Sequence, residues 1–255
     1  MAAFDAPDSL NALELPIRVA SEVGPGQICL VGAGEYLPAM RPVDAQLLTL
    51  TPAAREGRTP RVICLPTAAG TEGQRVVSRW MRMGIDHFTA LGADAVALPI
   101  VDHRTAADAG HEATLAAADL VYLSGGKPPH LLDSLRDTST WRGILTMLER
   151  GGVLAGCSAG AMIMGSHVPG LALTTTMRAG FGLVPGAMVM PHFDELFGRF
   201  AALATLRAPP GSYLLGIDGG TGLIIGADGW RVLGVGRVVV DDGGARRELR
   251  AAARG

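Results

Sequence analysis

The residues most able to do chemistry lie between positions 151 and 165, GGVLAGCSAGAMIMG. A short apolar stretch enters the motif GCSAG at 156–160, and a helical pattern follows it. A G-x-S-x-G motif between a strand and a helix is typical of a nucleophile elbow, a tight turn that exposes a serine above the sheet. We therefore predict that Ser158 is a nucleophile, although the same residues would also fit a turn that only packs a helix against a sheet. The start of the following helix offers free N–H groups to an oxyanion.

A second loop with chemical potential is SGGKPP at 124–129, where an apolar stretch ends in two glycines. Glycines let backbone N–H groups face a ligand with no Cβ in the way, and prolines suit the first turn of a helix. Acyl transfer needs two donors that converge on one oxygen. We expect the N–H of Gly126, or that of Gly125, to form an oxyanion hole with that of Ala159. Lys127 would add positive charge for an anionic substrate.

A serine nucleophile needs a general base, and the chain has six histidines. His192 is the strongest candidate because it follows the apolar run AMVMP and so falls at a strand end. It also follows Ser158 in the chain, which is the order found in other strand–turn–helix hydrolases. His87 lies beside Asp86 on the polar side of a predicted helix, and we expect it at the surface.

The three cysteines are Cys29, Cys64 and Cys157. They show no C-x-x-C spacing and cannot all pair, so neither a disulfide framework nor a metal site is indicated. Cys29 and Cys64 fall in apolar strand patterns, where we expect small buried side chains. Cys157 stands beside Ser158, but side chains alternate along a strand, so its thiol should point elsewhere.

Composition limits the class of protein. With 48% hydrophobic and 18% charged residues, the 255 residues can fill a sizeable core, and we predict one domain over 1–255 with its core at about 27–241 and irregular termini. The net charge of -2 and the lack of basic runs argue against a nucleic-acid partner. The chain starts without a signal-peptide pattern and has no uninterrupted apolar run of roughly eighteen residues, so we expect a cytoplasmic protein without a membrane partner.

Short apolar runs alternate with amphipathic helical patterns along most of the chain. This alternation predicts a three-layer α/β sandwich, with helices on both faces of a mostly parallel sheet. Near the C-terminus, short β-branched runs joined by glycines predict an antiparallel β meander that edges or extends the sheet. The predicted strands are 27–31, 61–65, 95–101, 119–124 and 152–156, and the predicted helices are 72–91, 105–118 and 140–150.

Glu35 follows the first predicted strand and its glycine turn, so it should lie on the same edge of the sheet as Ser158. The surrounding GAGEYLP lacks the third glycine of a nucleotide-binding G-x-G-x-x-G. We expect Glu35 to line the substrate pocket or to bond to backbone near it.

Taken together, these residues resemble the serine peptidases of the dipeptidase E and cyanophycinase family, relatives of the class I glutamine amidotransferase fold. The resemblance covers about residues 27–226. It implies that Ser158 is the nucleophile, His192 its base, and Gly126 with Ala159 the oxyanion site. It further implies hydrolysis of a short peptide or isopeptide bond with acidic side chains preferred, no cofactor, and a homodimer. The blocks that carry it are LVGAGE at 30–35, LPTAAG at 65–70, YLSGGK at 122–127, GCSAGA at 156–161, PHF at 191–193 and GIDGGTGLII at 216–225.

The chain departs from the family pattern at three places. Gly219 stands where family members carry a glutamate that is thought to orient the histidine. The arginines that usually follow the HF pair and hold a substrate carboxylate are reduced to Arg199, displaced from the usual spacing. Lys127 replaces the usual asparagine after the double glycine. We therefore expect Gly125, Lys127, Glu35 and Arg199 to contact the substrate.

Two carboxylates near the site would replace the lost glutamate. Asp194 forms an H-x-D arrangement with His192, similar to the H-x-E pair of class I amidotransferases, and Asp218 immediately precedes Gly219. Adjacent strand positions point to opposite faces, so we slightly prefer Asp194. Alternatively, Asp194 and Glu195 only cap the following helix.

The expected function is serine-type hydrolysis of a small peptide through an acyl-enzyme. The alternative is a noncatalytic, amidotransferase-like binding or regulatory protein, because the glutamate at position 219 is missing. A glutaminase-type activity is disfavoured, since that chemistry needs a cysteine at the elbow and Cys157 comes one position early.

Overall fold

The computed structural model describes residues 15–170, 177–195 and 208–252. Its strands, in chain order, are β1 (Gln27–Val31), β2 (Arg61–Leu65), β3 (Asp94–Ala97), β4 (Leu120–Leu123), β5 (Val153–Cys157), β6 (Gly165–Pro169), β7 (Met177–Ala179), β8 (Val184–Met190), β9 (Tyr213–Ile217), β10 (Thr221–Gly226), β11 (Gly229–Gly234), β12 (Arg237–Asp241) and β13 (Arg246–Arg250). Its α-helices are α1 (Arg41–Thr49), α2 (Pro52–Glu56), α3 (Gln74–Ala90), α4 (His103–Ala106), α5 (Gly110–Ala116), α6 (Pro128–Leu135), α7 (Ser139–Glu149) and α8 (Ala159–Met164). Short 3-10 helices cover Ser21–Val23, Pro38–Met40 and Thr67–Glu72.

Within the described ranges, the main sheet has seven strands in the order β11-β10-β1-β5-β4-β2-β3. The five strands from β1 to β3 in this order are parallel, and the β10–β11 hairpin is added antiparallel at the β1 edge. The carboxyl ends of β1, β4 and β5 therefore lie side by side, which is where ligand sites form in open parallel sheets.

Side chains of the main sheet alternate between two hydrophobic clusters. Ile28 and Leu30 of β1 belong to the cluster that includes helices α5 to α8, whereas Cys29 and Val31 belong to the one that includes α1 and α3. Strands buried on both faces become nearly continuous apolar runs, which explains why the sequence predicted them well. The predicted α/β fold with a mostly parallel sheet is confirmed.

A second, mixed sheet has the strand order β13-β12-β9-β8-β6-β7 within the described residues. The predicted C-terminal meander is therefore confirmed for β10 and β11, which extend the main sheet as an antiparallel hairpin, and wrong for β12, which belongs with β13 to the second sheet. Short β-branched runs joined by glycines give the same sequence pattern whether consecutive strands lie in one sheet or in two. The switch falls at Gly234, where φ is +98° and a Cβ would lie 2.1 Å from the carbonyl oxygen of Gly220.

Several predicted element boundaries need correction. The region 243–255 was expected to be irregular, but Arg246–Arg250 forms an edge strand in which Leu249 alone is buried, so its charged sequence hid the strand pattern. The helix predicted over 105–118 is two short helices, α4 and α5. The strand predicted over 95–101 ends at Ala97.

His87 was predicted at the surface, but it is only 6% exposed. It lies three residues after Gly84 and directly before Phe88, which places it on the apolar face of α3. Its Nε2 is 2.8 Å from Oδ2 of the buried Asp44 in α1, so the ring has a polar partner inside the core. Burial raises the pKa of Asp44, and the hydrogen bond with His87 opposes that shift.

No helix among the described residues is long and apolar enough to cross a bilayer.

Candidate active site

Ser158 occupies a sharp turn between β5 and α8, with φ at +52° and ψ at -109°. Its N–H donates to the carbonyl oxygen of Val31 at the end of β1, at 3.0 Å. The flanking glycines are needed for close packing. A Cβ on Gly156 would lie 2.5 Å from the carbonyl carbon of Gly160, and one on Gly160 would lie 2.6 Å from the carbonyl oxygen of Leu123. The local structure is thus the elbow that the motif predicts.

His192 faces Ser158 from the loop that follows β8. Its Nε2 lies 3.1 Å from the Oγ of Ser158, which is within hydrogen-bond distance. The φ of His192 is +53°, and its N–H donates to the carbonyl oxygen of Gly32 at 3.3 Å. The structure therefore brings the predicted nucleophile and the predicted base together.

The carboxylate that approaches His192 is that of Glu195. Its Oε2 lies 3.4 Å from Nδ1 of His192, three residues earlier in the chain, and its side chain is 59% exposed. From the sequence alone, Glu195 is expected only to cap the following helix. The useful signal was the i,i+3 spacing, because residues three apart at the start of a helix lie on the same face.

The two carboxylates anticipated for this position bond elsewhere. Oδ1 of Asp194 accepts from the N–H of Gly219 at 2.9 Å. Oδ2 of Asp218 accepts from the backbone N–H and the Nε of Arg237, at 3.1 and 3.2 Å. Among the described residues, neither carboxylate has a hydrogen bond with His192. Arg199, which the sequence also predicts at the site, lies outside the described residues.

The Gly125–Gly126 turn narrows the choice of oxyanion donor. The N–H of Gly125 already donates to Oε1 of Glu35 at 2.8 Å. The N–H groups of Gly126 and Ala159 have no partner among the described residues, and Ala159 is the first residue of α8, where helical N–H groups lack intrahelical acceptors. Gly126 has φ at +144°, and a Cβ there would lie 2.5 Å from the backbone of Ala68.

Lys127 follows this turn and precedes α6. Its N–H donates to the carbonyl oxygen of Ala68 at 2.9 Å, which fixes its backbone beside the turn. Its side chain is exposed, and it is the only lysine in the sequence. Among the described residues, no carboxylate forms an ion pair with its ammonium group, which is therefore able to bind an anion from solution.

Cys157 is buried and donates its S–H to Oε2 of Glu35 at 2.9 Å. Burial, together with the negative charge of Glu35, raises the pKa of the Cys157 thiol well above its ordinary value. The thiol therefore stays protonated at neutral pH, which makes it a poor nucleophile. Cys29 and Cys64 are also buried, as predicted.

The site brings together a serine hydroxyl, an imidazole in hydrogen-bond contact with it, and two N–H groups without a partner among the described residues, which are the kinds of group that acyl transfer uses. Among the described residues, no group of three or more His, Cys, Asp or Glu side chains is arranged to hold a metal ion. Glu35 is 9% exposed, and both of its oxygens already have protein donors.

Comparisons with known proteins point to one family. Residues 30–233 match the family described as peptidase family S51. Cyanophycinase from Nostoc sp. (strain PCC 7120) is 31% identical over 201 residues, which cover 74% of this chain and 65% of the relative. Cyanophycinase from Geminocystis herdmanii is 28% identical and is covered over 72% of its length. The chain thus spans 65% of the length of the Nostoc relative.

Solved structures show the same fold. The crystal structure of a peptidase from an acI-B1 actinobacterium matches with a TM-score of 0.81 and 34% identity, over 89% of this chain and 95% of that one. A putative peptidase E protein from Listeria monocytogenes matches with a TM-score of 0.60 and 18% identity, over 82% of this chain and 98% of that one. At this lower identity the Listeria match supports the fold alone.

Proposed function

Because the chain belongs to peptidase family S51, we propose that it is a serine-type hydrolase that cleaves a small peptide or isopeptide bond through an acyl-enzyme. The observation that supports this most directly is the 3.1 Å contact between Oγ of Ser158 and Nε2 of His192. A hydroxyl at ordinary pKa is a weak nucleophile, and a base in this position activates it.

In the first half of the reaction, Nε2 of His192 takes the proton of Ser158 as Oγ attacks the carbonyl carbon of the substrate. The oxyanion that forms accepts hydrogen bonds from the N–H groups of Gly126 and Ala159. His192 then gives its proton to the leaving amine, the C–N bond breaks, and the acyl group stays on Ser158.

In the second half, a water molecule replaces the amine. His192 takes a proton from that water as its oxygen attacks the acyl carbon, and the same two N–H groups bind the second oxyanion. When the ester bond breaks, His192 returns the proton to Ser158 and the acid product leaves. Every proton taken by His192 is returned within the cycle, so the base is regenerated.

We assign the orientation of His192 to Glu195. A carboxylate at Nδ1 fixes the tautomer in which Nε2 accepts a proton, and it stabilises the imidazolium that follows. Because Glu195 is more than half exposed, water screens its charge, and its contribution should be smaller than that of a buried triad aspartate.

We assign the preference for acidic substrates to Lys127. Its exposed ammonium group follows Gly126 directly, so a carboxylate beside the scissile carbonyl would lie within its reach. The resemblance to the dipeptidase E and cyanophycinase family, which implies acidic side chains beside the cleaved bond, supports this assignment.

A panel of small substrates tests the proposal. Aspartyl dipeptides and β-aspartyl isopeptides are compared with their asparaginyl counterparts, using the wild type, Ser158→Ala and Lys127→Gln. We expect hydrolysis of acidic substrates, none by Ser158→Ala, and a roughly tenfold lower kcat/KM for acidic substrates alone in Lys127→Gln. Failure to hydrolyse any member of the panel, or full activity in Ser158→Ala, would contradict the proposal and favour the noncatalytic binding protein.

A further inference from the structure

We propose that Glu35 is a positioning residue for the oxyanion hole. Its single carboxylate holds the turn that carries one N–H donor against the end of the strand that leads to the other donor. This inference rests on the proposed function, since it assigns a role within the same site. It differs from the role anticipated from the sequence, in which Glu35 contacts the substrate.

The two oxygens of Glu35 bond to two different strand ends. Oε1 accepts from the N–H of Gly125 at 2.8 Å, and Oε2 accepts from the S–H of Cys157 at 2.9 Å. Gly126, one donor of the proposed oxyanion hole, follows Gly125 directly. Ala159, the other donor, comes two residues after Cys157. Each hydrogen bond of Glu35 is thus made within two residues of an oxyanion donor.

Packing around the turn shows how closely these groups fit. A Cβ on Gly125 would lie 2.6 Å from Oε1 of Glu35 and 3.3 Å from Cβ of Ser158. On the other side, a Cβ on Gly126 would lie 2.5 Å from the backbone of Ala68. The turn therefore lies between Glu35 and the 3-10 helix that begins at Thr67, too close to both for a side chain on either glycine.

The chemistry of Glu35 also favours a positioning role. A carboxylate that is 9% exposed carries a large desolvation cost, and a hydrophobic side chain would avoid it. Among the described residues, no basic side chain forms an ion pair with Glu35, and its hydrogen bonds come from one N–H and one S–H. The raised pKa of Cys157 keeps that thiol protonated and able to donate. Both oxygens are occupied, so the carboxylate orders the turn instead of contacting substrate.

The test compares Glu35→Ala and Glu35→Gln with a matched control, Asp44→Asn. Asp44 is also a buried carboxylate, but it bonds to His87 and has no contact with the turn. The probe is p-nitrophenyl acetate, whose small acyl group reports the chemical step. We expect Glu35→Ala to lower kcat about 10- to 100-fold with KM within about twofold, because misplaced oxyanion donors weaken transition-state binding.

Two further readouts separate positioning from a general loss of structure. The pH dependence of kcat should be unchanged in Glu35→Ala, because the contact between Ser158 and His192 is not altered. Glu35→Gln should recover much of kcat, since an amide oxygen still accepts from Gly125. Where the alanine variant does not fold, Glu35→Met, which has a similar length but no acceptor oxygen, takes its place and should show the same loss of kcat. Wild-type kcat in both Glu35 variants, or an equal loss in Asp44→Asn, would overturn the inference.

Failure of the proposed function gives a different result. In that case the wild type does not hydrolyse the ester, and amide hydrogen exchange decides the inference at Gly125, whose N–H donates to Glu35, and at Lys127, whose N–H donates to Ala68 on the other side of the turn. Faster exchange at these two amides in Glu35→Ala, with no change in Asp44→Asn, would support the role of Glu35 in ordering the turn. Equal exchange in the wild type and both variants would overturn it.

Discussion

Ser158 and His192 are anchored to two consecutive carbonyl groups at the end of β1. The N–H of Ser158 donates to Val31 and that of His192 to Gly32, at 3.0 and 3.3 Å. Both residues have a positive φ, +52° and +53°, which costs about 1–3 kcal/mol at each non-glycine position. Strain at the two residues that face each other across 3.1 Å is the pattern expected where a fold fixes reacting groups in place.

The first prediction concerns the carboxylate that orients His192. Glu195→Gln should lower kcat/KM about 10- to 100-fold, less than the roughly ten-thousandfold effect of a buried triad aspartate, because Glu195 is exposed. Asp194→Asn and Asp218→Asn are the matched controls, since their carboxylates bond to Gly219 and Arg237. Initial rates on p-nitrophenyl acetate between pH 5 and 9 measure the effect. A larger loss in Asp194→Asn than in Glu195→Gln would refute this assignment.

The second prediction concerns the cysteines. All three are buried, burial raises the pKa of Cys64 to about 12, and the pKa of Cys157 is raised as well. Iodoacetamide should therefore leave the native protein unlabelled at pH 7.5 and its hydrolytic rate unchanged, while the same reagent in denaturant should label all three. Mass spectrometry after each treatment gives the count. Rapid native labelling of Cys157 with loss of activity would instead point to a cysteine nucleophile.

The third prediction separates two costs of replacing glycine. Gly126→Ala places a Cβ 2.5 Å from backbone at a φ of +144°, whereas Gly57→Ala has a left-handed backbone, with φ at +70°, and nothing within 4 Å of the added Cβ. We expect Gly57→Ala to lose only about 1 kcal/mol of unfolding free energy and to keep its activity. Gly126→Ala should lose more stability and at least about 100-fold in kcat, because the oxyanion donor moves. Urea unfolding and ester hydrolysis measure both, and equal behaviour of the two variants would contradict the account.

The fourth prediction is a dependence of stability on pH. Burial opposes the ionisation of Asp119, but hydrogen bonds from Arg58 and from the N–H of Arg61 outweigh burial and lower its pKa. A lowered pKa in the folded state stabilises the fold above the unfolded value of about 3.9, and this contribution disappears as pH falls through the folded pKa.

Asp119→Asn should therefore lose on the order of 2–4 kcal/mol of unfolding free energy at pH 7, because the ion pair with Arg58 and the charged acceptor are lost together. The difference from the wild type should shrink as the pH falls below 4. Asp86→Asn, at an exposed position of α3, is the control and should behave like the wild type. Urea unfolding between pH 3 and 7 measures the trend, and a difference that stays constant with pH would contradict it.

Features encoded by residues close together in sequence were predicted better than features that depend on residues far apart. The elbow was predictable because five consecutive residues, 156–160, encode both the turn and the close packing of Gly156 and Gly160. The central strands were predictable because burial on both faces leaves nearly unbroken apolar runs. His87 was misassigned because a helical stripe identifies a face but does not reveal that Asp44, far away in sequence, supplies a buried partner.

Other features depend on geometry that no short motif carries. The distance between Glu195 and His192 depends on the positive φ of His192 and on the helical turn after it. The residue types at these positions do not predict that backbone conformation. The division of the C-terminal strands between two sheets depends on the chain path at Gly234. The sequence predicts that Glu35 lies near the site, but its two donors, at a loop and at a strand end, are 90 and 122 residues away in sequence.

The most direct test of the central claim is the intact mass of the protein after exposure to a fluorophosphonate, which reacts with an activated serine. The wild type, Ser158→Ala and His192→Ala are compared after their folding has been checked by circular dichroism. The account predicts one adduct per wild-type chain and none on either variant. A well-folded wild type without an adduct, or an adduct that persists in Ser158→Ala, would contradict the assignment of Ser158 and His192 as a working catalytic pair.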